Sequence, residues 1–189
     1  MIIRDATQAD IPAITRIYAD SVENGVASYE LLTPDEAEMG RRMKAITGDG
    51  YPYLIAEAES GAETAAATVL GYAYASPFRT RPAYRWLVED SIYLAPEARG
   101  KGVGGALLER LIGRCESLGF RQMVAVIGGA HPASIAVHQK AGFASAGMIK
   151  GSGHKHGRWL DTVFMQRPLG EGTATDPDPD TYPGTLFKP

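Results

Sequence analysis

The segment VEDSIYLAPEARGKGVGGALL, residues 88–108, decides the fold because three different local patterns follow one another in it. Val88 to Leu94 is rich in β-branched and aromatic residues and predicts a strand. Pro96 to Gly105 is rich in glycine, and apolar residues then recur at helical spacing. These apolar positions are Val103, Leu107, Leu108, Leu111, Ile112, Cys115 and Leu118. The segment therefore predicts a strand, a glycine-rich loop and an amphipathic helix.

The loop before this helix has the features of an anion-binding site. The first N–H groups of a helix are unpaired, and the positive end of the helix dipole attracts negative charge. Gly100, Gly102 and Gly104 have no side chains to block a ligand, and Arg99 and Lys101 add positive charge. A glycine-rich turn with solvated charges has the same composition. From the loop alone, a phosphate site and a plain turn both stay open.

Two nucleotide-binding folds are excluded by what surrounds the loop. Gly100, Gly102 and Gly105 match the dinucleotide pattern G-x-G-x-x-G, which also requires an acidic residue about 20 positions later. The next strand instead ends in Val-Ile-Gly-Gly at 126–129, so a Rossmann oxidoreductase is rejected. The Walker pattern G-x-x-x-x-G-K-[ST] is absent from the sequence, which argues against an NTPase.

Strand and helix patterns extend outward on both sides of this segment. Residues 1–6 predict a strand. Thr7 to Asp10 then offer capping residues before isoleucines that share one helical face, which predicts a first helix. Thr33 and Pro34 predict the start of a second helix that ends near Ile46. The other predicted elements are strands at 53–58 and 69–75 around a loose loop at 60–67, a strand at 123–127, a helix at 133–141, and strands at 144–149 and 160–167. The sequence thus predicts an α/β fold with a sheet that is antiparallel around the 60–67 hairpin.

Length and composition favour one compact domain with a small-molecule partner. The chain has 189 residues, of which 44% are hydrophobic and 22% charged. Residues 1–169 form the predicted domain, and 170–189 contain many turn-forming residues and predict an extended tail. A net charge of −3 gives no general attraction to nucleic acid or to an acidic membrane.

The sequence also predicts a cytoplasmic location. The lone Cys115 excludes an intrachain disulfide and fits a reducing compartment. Charge at Arg4 and Asp5 comes too early for a signal peptide, and no apolar run reaches the roughly 18 residues that span a bilayer.

Five ordered segments carry a more specific resemblance. They are IRDATQADIPAITRIYADSV at 3–22, ASYE at 27–30, VEDSIYLAPEARGKGVGGALL at 88–108, SIAVHQKAGF at 134–143 and HKHGRWLDTVFMQ at 154–166. The chain resembles the phosphinothricin and methionine sulfoximine acetyltransferases of the GNAT superfamily over nearly all of residues 1–169. The resemblance implies the GNAT fold, in which helices flank a mixed, mostly antiparallel central sheet.

The resemblance implies that acetyl-CoA is the co-substrate. The backbone of Ile92, Tyr93 and Leu94 would line the acetyl group and pantetheine arm, with the Leu94 N–H as the donor to the developing oxyanion. His131 stands where the family usually has a cofactor-contacting asparagine. The pyrophosphate would be held by the loop residues Arg99, Gly100, Lys101, Gly102, Val103, Gly104 and Gly105.

Catalytic roles follow from the same resemblance. A protonated amine must lose a proton before it attacks, so a base is required. From surface preferences alone, Glu89 reads as a solvated carboxylate, but the resemblance makes it the base, with Asp90 pointing away by strand alternation. His138 occupies the place of a tyrosine near the coenzyme sulfur. Either it protonates the leaving thiolate or it is a packed structural histidine, and both interpretations stay open.

The substrate side of the site is predicted around the segment before Glu89. Arg79, Thr80 and Arg81 would recognise carboxylate or phosphinate oxygens, since arginine binds them bidentately. The resemblance places Tyr29, at a position usually occupied by phenylalanine, and Ser91 near the substrate pocket. It implies a small amino-acid analogue such as phosphinothricin, methionine sulfoximine or methionine sulfone.

Other functions remain as alternatives. One is an acetyltransferase for protein N-termini or lysines, and another is a non-catalytic acyl-CoA sensor. His154 and His156 have no third ligand nearby in the sequence, so no metal site is predicted. The resemblance also implies a homodimer.

Overall fold

In the part of the chain that the structure describes, a seven-stranded sheet and four α-helices form the body of the protein. The computed structural model describes residues 1–59 and 68–182. The strands are β1 Ile2–Asp5, β2 Tyr53–Glu57, β3 Val69–Pro77, β4 Leu87–Leu94, β5 Gln122–Gly128, β6 Ala144–Lys155 and β7 Arg158–Pro168. The helices are α1 Ile11–Glu23, α2 Glu36–Gly48, α3 Val103–Ser117 and α4 Pro132–Lys140. The predicted loop at 60–67 lies outside the described residues.

Six strand pairs hold the sheet together, and only one of them is parallel among the described residues. The strand order is β1-β2-β3-β4-β5-β7-β6. β4 and β5 run parallel in register from Leu87 to Asp90, and the other pairs are antiparallel. The predicted mixed, mostly antiparallel α/β fold is therefore confirmed.

Strand alternation gives β4 two functionally different faces. Tyr93 contacts Tyr18 of α1 edge-on, so Glu89 and Ser91, on the same face as Tyr93, point toward α1 and α2. Leu94 packs against Gly104 of α3, so the even-numbered side chains of β4 point toward that helix. The buried residues of the helices complete a continuous core on both faces of the sheet.

The second helix begins two residues later than the sequence predicted. Asp35 is its N-cap, with an extended backbone and a carboxylate that accepts a hydrogen bond from the Glu38 N–H at 2.8 Å. Thr33, predicted as the cap, instead donates its hydroxyl to Glu23 at 3.2 Å. Both residues are good caps, and Asp35 is the one that reaches the orphan N–H.

The last two strands are longer than predicted. β6 continues to Lys155 because bulges between Ser145 and Gly147 and between Ile149 and Gly153 absorb its glycines. β6 is one of the two edge strands of the sheet, and most of its residues are exposed. Glycine-rich sequence normally indicates a turn, which is why the second half of this strand was missed.

The segment predicted as an extended tail contributes to the core. Tyr182 is 4% exposed, and its hydroxyl lies 2.7 Å from the Tyr51 hydroxyl. The ring of Tyr182 also packs edge-on against Trp86 and Phe120. Arg121 also donates to the Thr175 hydroxyl and to the Asp176 carbonyl, both at 3.0 Å, so aromatic packing and hydrogen bonds together fix residues 170–182 to the body. Among the described residues, no helix is both long and apolar enough to span a membrane.

Candidate active site

A cleft opens where β4 and β5 separate. Their shared register ends at the pair Asp90–Ala125. On the other side of β4, the Ala95 N–H bonds to the Leu70 carbonyl at 3.0 Å. Hydrogen bonding alternates along an antiparallel ladder, so the N–H groups of Ile92 and Leu94 point away from β3, toward the cleft. The predicted oxyanion donor at Leu94 is therefore directed into this opening.

The glycine loop leads from β4 to the N-terminus of α3. Gly100 and Gly102 have φ angles of +73° and +82°, which only glycine adopts without strain, and Gly102 is the N-cap of α3. A Cβ placed on Gly100, Gly102 or Gly105 would meet no heavy atom within 4 Å. The open backbone and the first N–H groups of α3 form a cradle that fits a phosphate group.

The two cations of the loop have different surroundings. Arg99 donates through Nη2 to the Asp20 carboxylate and to the Leu94 carbonyl, the latter at 3.3 Å. Arg99 therefore ties the loop to α1 and to the end of β4. Lys101 is exposed next to the cradle.

Glu89 is partly buried on the α1 and α2 face of β4. Burial and, after it, the Asp90 charge raise the pKa of its carboxyl, the Arg79 charge lowers it, and the pKa that results is about 7. A carboxyl with this pKa is about half ionised at neutral pH, which is the range where a general base works best. Glu89 thus has the electrostatic properties of the predicted base.

Asp90 and His138 form a buried pair on the opposite face. The His138 Nε2 lies 3.0 Å from Asp90 Oδ2, and Nδ1 lies 2.7 Å from the Ser134 carbonyl oxygen. Since a carbonyl oxygen only accepts, Nδ1 carries a proton, and a second proton lies between Nε2 and Asp90. Burial opposes the charged ring, but the hydrogen bond and charge of Asp90 outweigh it and raise the His138 pKa.

This pairing bears directly on the predicted role of His138. Both ring nitrogens are engaged by protein groups, and the side chain is 5% exposed. Protonation of a thiolate by His138 would therefore require its bond to Asp90 to open. Asp90, predicted only to point away from Glu89, is in fact the partner of this histidine.

Tyr29 holds the connection between α1 and α2 against the end of the cleft. Its hydroxyl donates to the Asp161 carbonyl at 3.1 Å and accepts from the Gly129 N–H at 3.1 Å. A Cβ on Gly128 would come within 2.9 Å of the Tyr29 ring, and one on Gly153 within 2.6 Å. Glycine is required at both positions so that the ring can pack there. The Tyr29 hydroxyl thus positions the loop.

The other predicted substrate residues are divided between the strand and the turn before it. Ser91 lies on the Glu89 face and hydrogen-bonds to Tyr74. Arg79 is exposed, stacks over the Phe78 ring at 4.0 Å, and is close enough to Glu89 to influence its pKa. Thr80 and Arg81 are exposed on the same turn.

His131 begins α4, and its side chain makes no capping hydrogen bond. It is exposed, like the proline that follows it.

Over residues 1–59 and 68–182, no group of three or more His, Cys, Asp or Glu side chains is placed to hold a metal ion.

Sequence reasoning missed the anchors of Ser28 in the loop between α1 and α2. Lys155 is 4% exposed, and its ammonium donates to the Ser28 carbonyl at 2.8 Å. Burial lowers the Lys155 pKa, and the nearby Glu30 charge opposes that effect. The Tyr18 and Ser28 hydroxyls are 2.9 Å apart. These contacts join positions 10 and 127 residues apart, for which local periodicity gives no signal.

Comparisons with known proteins agree with this geometry. Residues 13–143 match the model of the Acetyltransferase (GNAT) family. The chain is 46% identical to a phosphinothricin N-acetyltransferase from Alcaligenes faecalis over 93% of its length and 86% of the relative's. It is 41% identical to an L-methionine sulfoximine/L-methionine sulfone acetyltransferase from Pseudomonas paraeruginosa, covering 88% of this chain and 94% of the relative.

A solved structure is also very similar. It is a GNAT superfamily phosphinothricin acetyltransferase from Sinorhizobium meliloti in complex with AcCoA. The two chains superpose with a TM-score of 0.93 at 63% identity, covering 100% of this chain and 98% of the other.

The raised pKa of Glu89 predicts a pH-dependent gain in stability for Glu89→Gln. Folding raises this pKa from 4.5 to about 7, so the folded protein holds the proton more tightly and ionisation destabilises it. The wild type should therefore lose stability relative to the variant as pH rises from 4.5 to 7. With solvent screening included, we expect a relative loss on the order of 2 kcal/mol.

Urea unfolding at pH 4, 5.5, 7 and 8 measures this difference. The acidic measurement is the internal control, because glutamic acid and glutamine are both neutral there. A difference between the two proteins that stays constant from pH 4 to pH 8 would contradict the raised pKa.

Proposed function

The chain belongs to the acetyltransferase (GNAT) family, and from this membership we propose that it transfers an acetyl group from acetyl-CoA to the α-amino group of a small amino-acid analogue. Phosphinothricin, methionine sulfoximine and methionine sulfone are the substrates that its relatives suggest. The observation that carries the proposal is the partly buried Glu89 carboxyl, with a pKa of about 7, beside the β4–β5 cleft.

The charges around Glu89 fit an α-amino acid. Such a molecule has an ammonium and a carboxylate on one carbon. Glu89 offers a carboxylate to the ammonium, and the Arg79 guanidinium close to it offers a cation to the carboxylate. Thr80, Arg81 and Ser91 would add polar contacts on the same side. This pairing of opposite charges favours a free amino acid over a lysine side chain, which has no neighbouring carboxylate.

The cradle before α3 suits the coenzyme. The pyrophosphate would be held by Arg99 and by residues 100–105, where open glycine backbone and N–H groups of α3 face outward. The backbone of Ile92 to Leu94 would line the acetyl and pantetheine groups, and His131 would lie at the edge of this site. Acetyl-CoA supplies the acetyl group as an activated thioester.

The chemical roles of the protein groups are limited to proton transfer and charge stabilisation. Glu89 takes a proton from the substrate ammonium, because its carboxyl is partly ionised at neutral pH and the amine attacks only in its neutral form. The Leu94 N–H donates a hydrogen bond to the carbonyl oxygen that gains negative charge. His138 keeps its proton toward Asp90 and supports this strand from the other face, so the thiolate of the departing coenzyme A would take its proton from water.

Turnover by Glu89→Gln tests the base directly. Glutamine keeps the shape of the side chain but cannot accept the proton, so we expect turnover to fall roughly 100-fold or more. Acetyl-CoA affinity should change little. In the pH profile of kcat/KM, any limb that belongs to Glu89 should vanish, whereas a limb that belongs to the substrate amine should remain.

The decisive assay measures acetyl-CoA consumption with free amino acids, their sulfoximine and phosphinate analogues, and peptides. Activity on peptides alone would identify a protein acetyltransferase, and acetyl-CoA binding without any turnover would identify a sensor. Wild-type turnover in folded Glu89→Gln would remove Glu89 as the base.

Gly105→Glu tests the coenzyme cradle. Gly105 lies in the first turn of α3 with open space beside it, so a side chain fits without strain. A carboxylate there would repel phosphate, and we expect the dissociation constant of acetyl-CoA to rise at least tenfold. Gly113→Glu is the matched control, because Gly113 lies in the same helix, also in open space. Equal affinities of the two variants by calorimetry would argue against the cradle.

We also propose a homodimer in the cytoplasm, where acetyl-CoA is available. Support comes from the exposed apolar residues of the β6–β7 hairpin, with Met148, Ile149 and Trp159 exposed by 50%, 53% and 72%. β6 is also a sheet edge, which is a natural surface for association.

Light scattering measures this association. We expect a mass about twice 20.2 kDa for the wild type and a shift to monomer for Trp159→Glu, because charge at an apolar interface opposes its burial. Tyr84→Glu is the control, since Tyr84 is an exposed aromatic residue outside the hairpin. A monomeric wild type at micromolar concentration with full activity would contradict the proposal.

A further inference from the structure

A cavity of about 330 Å³ lies between the first two helices and the sheet, and none of its lining residues was predicted to contact the substrate. Tyr18 of α1 and Tyr53 and Tyr74 of the sheet contribute three aromatic rings to its wall. Met39 and Ile46 of α2 add apolar side chains. The cavity is therefore mainly aromatic and apolar.

The cavity is on the same sheet face as Glu89 and begins one strand away from it. Ser76, one of its lining residues, is the direct cross-strand partner of Glu89. Tyr74, two residues earlier, is the partner of Ser91 and hydrogen-bonds to it. Directly opposite residues of an antiparallel pair have Cβ atoms about 5 Å apart. The side chain of an α-amino acid is attached to the carbon that bears the amine. With the amine at Glu89, that side chain would thus be within reach of the cavity.

Arg42, the one charged residue that the described part of the chain contributes to the lining, is already neutralised. Arg42 Nη1 lies 2.6 Å from a Glu30 carboxylate oxygen, and its Nε lies 2.8 Å from Glu38. A guanidinium held by two carboxylates has little capacity left for a third anion. Among the described residues that line it, the cavity consequently offers ring faces and methylene groups but no free cation to an entering side chain.

We propose that this cavity receives the side chain of the acceptor amino acid and that it selects uncharged side chains over anionic ones. This inference rests on the proposed amino-acid acetyltransferase function. The selection follows from desolvation, because an anionic head would lose water here without gaining a cation. A neutral thioether or sulfone side chain would instead pack against the tyrosine rings and Met39. Methionine sulfone should accordingly be a better substrate than phosphinothricin.

Ala45→Trp tests the cavity, because Ala45 lines it from an exposed position on α2 and an indole there would fill its mouth. We expect kcat/KM for methionine sulfone to fall at least tenfold. Excluding one or two methylene-sized groups from a pocket lowers kcat/KM by about that factor. The kcat/KM for glycine, which has no side chain to place, should be unchanged, as should acetyl-CoA affinity.

Lys44→Trp is the matched control, because Lys44 is the exposed neighbour of Ala45 on α2 and is not among the cavity-lining residues. It should keep the wild-type ratio of kcat/KM for methionine sulfone to that for glycine. Ala45→Leu provides a smaller filling change that suits a helix, should the tryptophan variant not fold.

Three outcomes would contradict three different claims. A wild type that acetylates no free amino acid would remove the proposed function, and this inference with it. A wild type that acetylates methionine sulfone, with unchanged selectivity in both filled variants, would overturn the cavity assignment alone. A wild type that prefers phosphinothricin to methionine sulfone would overturn the selection of uncharged side chains.

Discussion

The structure depends on the point where β4 and β5 stop pairing. β5 continues to pair with β7 as far as Gly128, and β4 with β3 as far as Leu94, so each strand is held on its outer side beyond the separation. The inner N–H groups of β4 can then face a ligand at no cost in lost strand pairing. A parallel ladder that continued past Asp90 would satisfy those groups and close the cleft. The site is thus made by ending a hydrogen-bond ladder early.

The Asp90–His138 pair lies immediately behind this opening. A buried ion pair does not generally add stability, because desolvation of the charges offsets their attraction. Among the described residues, Asp90 Oδ1 also lacks a hydrogen-bond partner, which makes the burial of this carboxylate more costly. Its negative charge nevertheless acts on Glu89, whose pKa it raises. The pair therefore affects the chemistry on one face of the sheet from the other face.

The sequence predicted the parts of the site that lie close together in the chain. The strand, the glycine loop and the helix of residues 88–108 were predicted from local patterns, whereas the roles of Glu89 and of the β4 N–H groups were implied by the family resemblance. The partner of His138 was not predicted, because Asp90 is 48 residues away and its burial is decided by packing against α3 and α4. Tyr182 was missed for a similar reason, since one aromatic residue in a polar segment produces no periodicity. The resemblance to a family added roles for residues, but not the contacts that hold them.

The loop between α1 and α2 shows how such distant contacts control a local wall of the site. Tyr29 fixes one point of this loop to the ends of β5 and β7, and Lys155 fixes the neighbouring Ser28 from the β6–β7 hairpin. Both anchors depend on strands that come more than 90 residues later, so the wall can form only after β5, β6 and β7 have joined the sheet. The Lys155 ammonium is desolvated when it packs against the loop, and there it donates a hydrogen bond to the Ser28 carbonyl oxygen. A buried ammonium without a hydrogen-bond acceptor is strongly unfavourable, so a conformation in which Lys155 is buried without this hydrogen bond is disfavoured. These anchors should therefore hold the loop in one position. The position of the loop in turn sets the distance between α1 and the cleft beside Glu89.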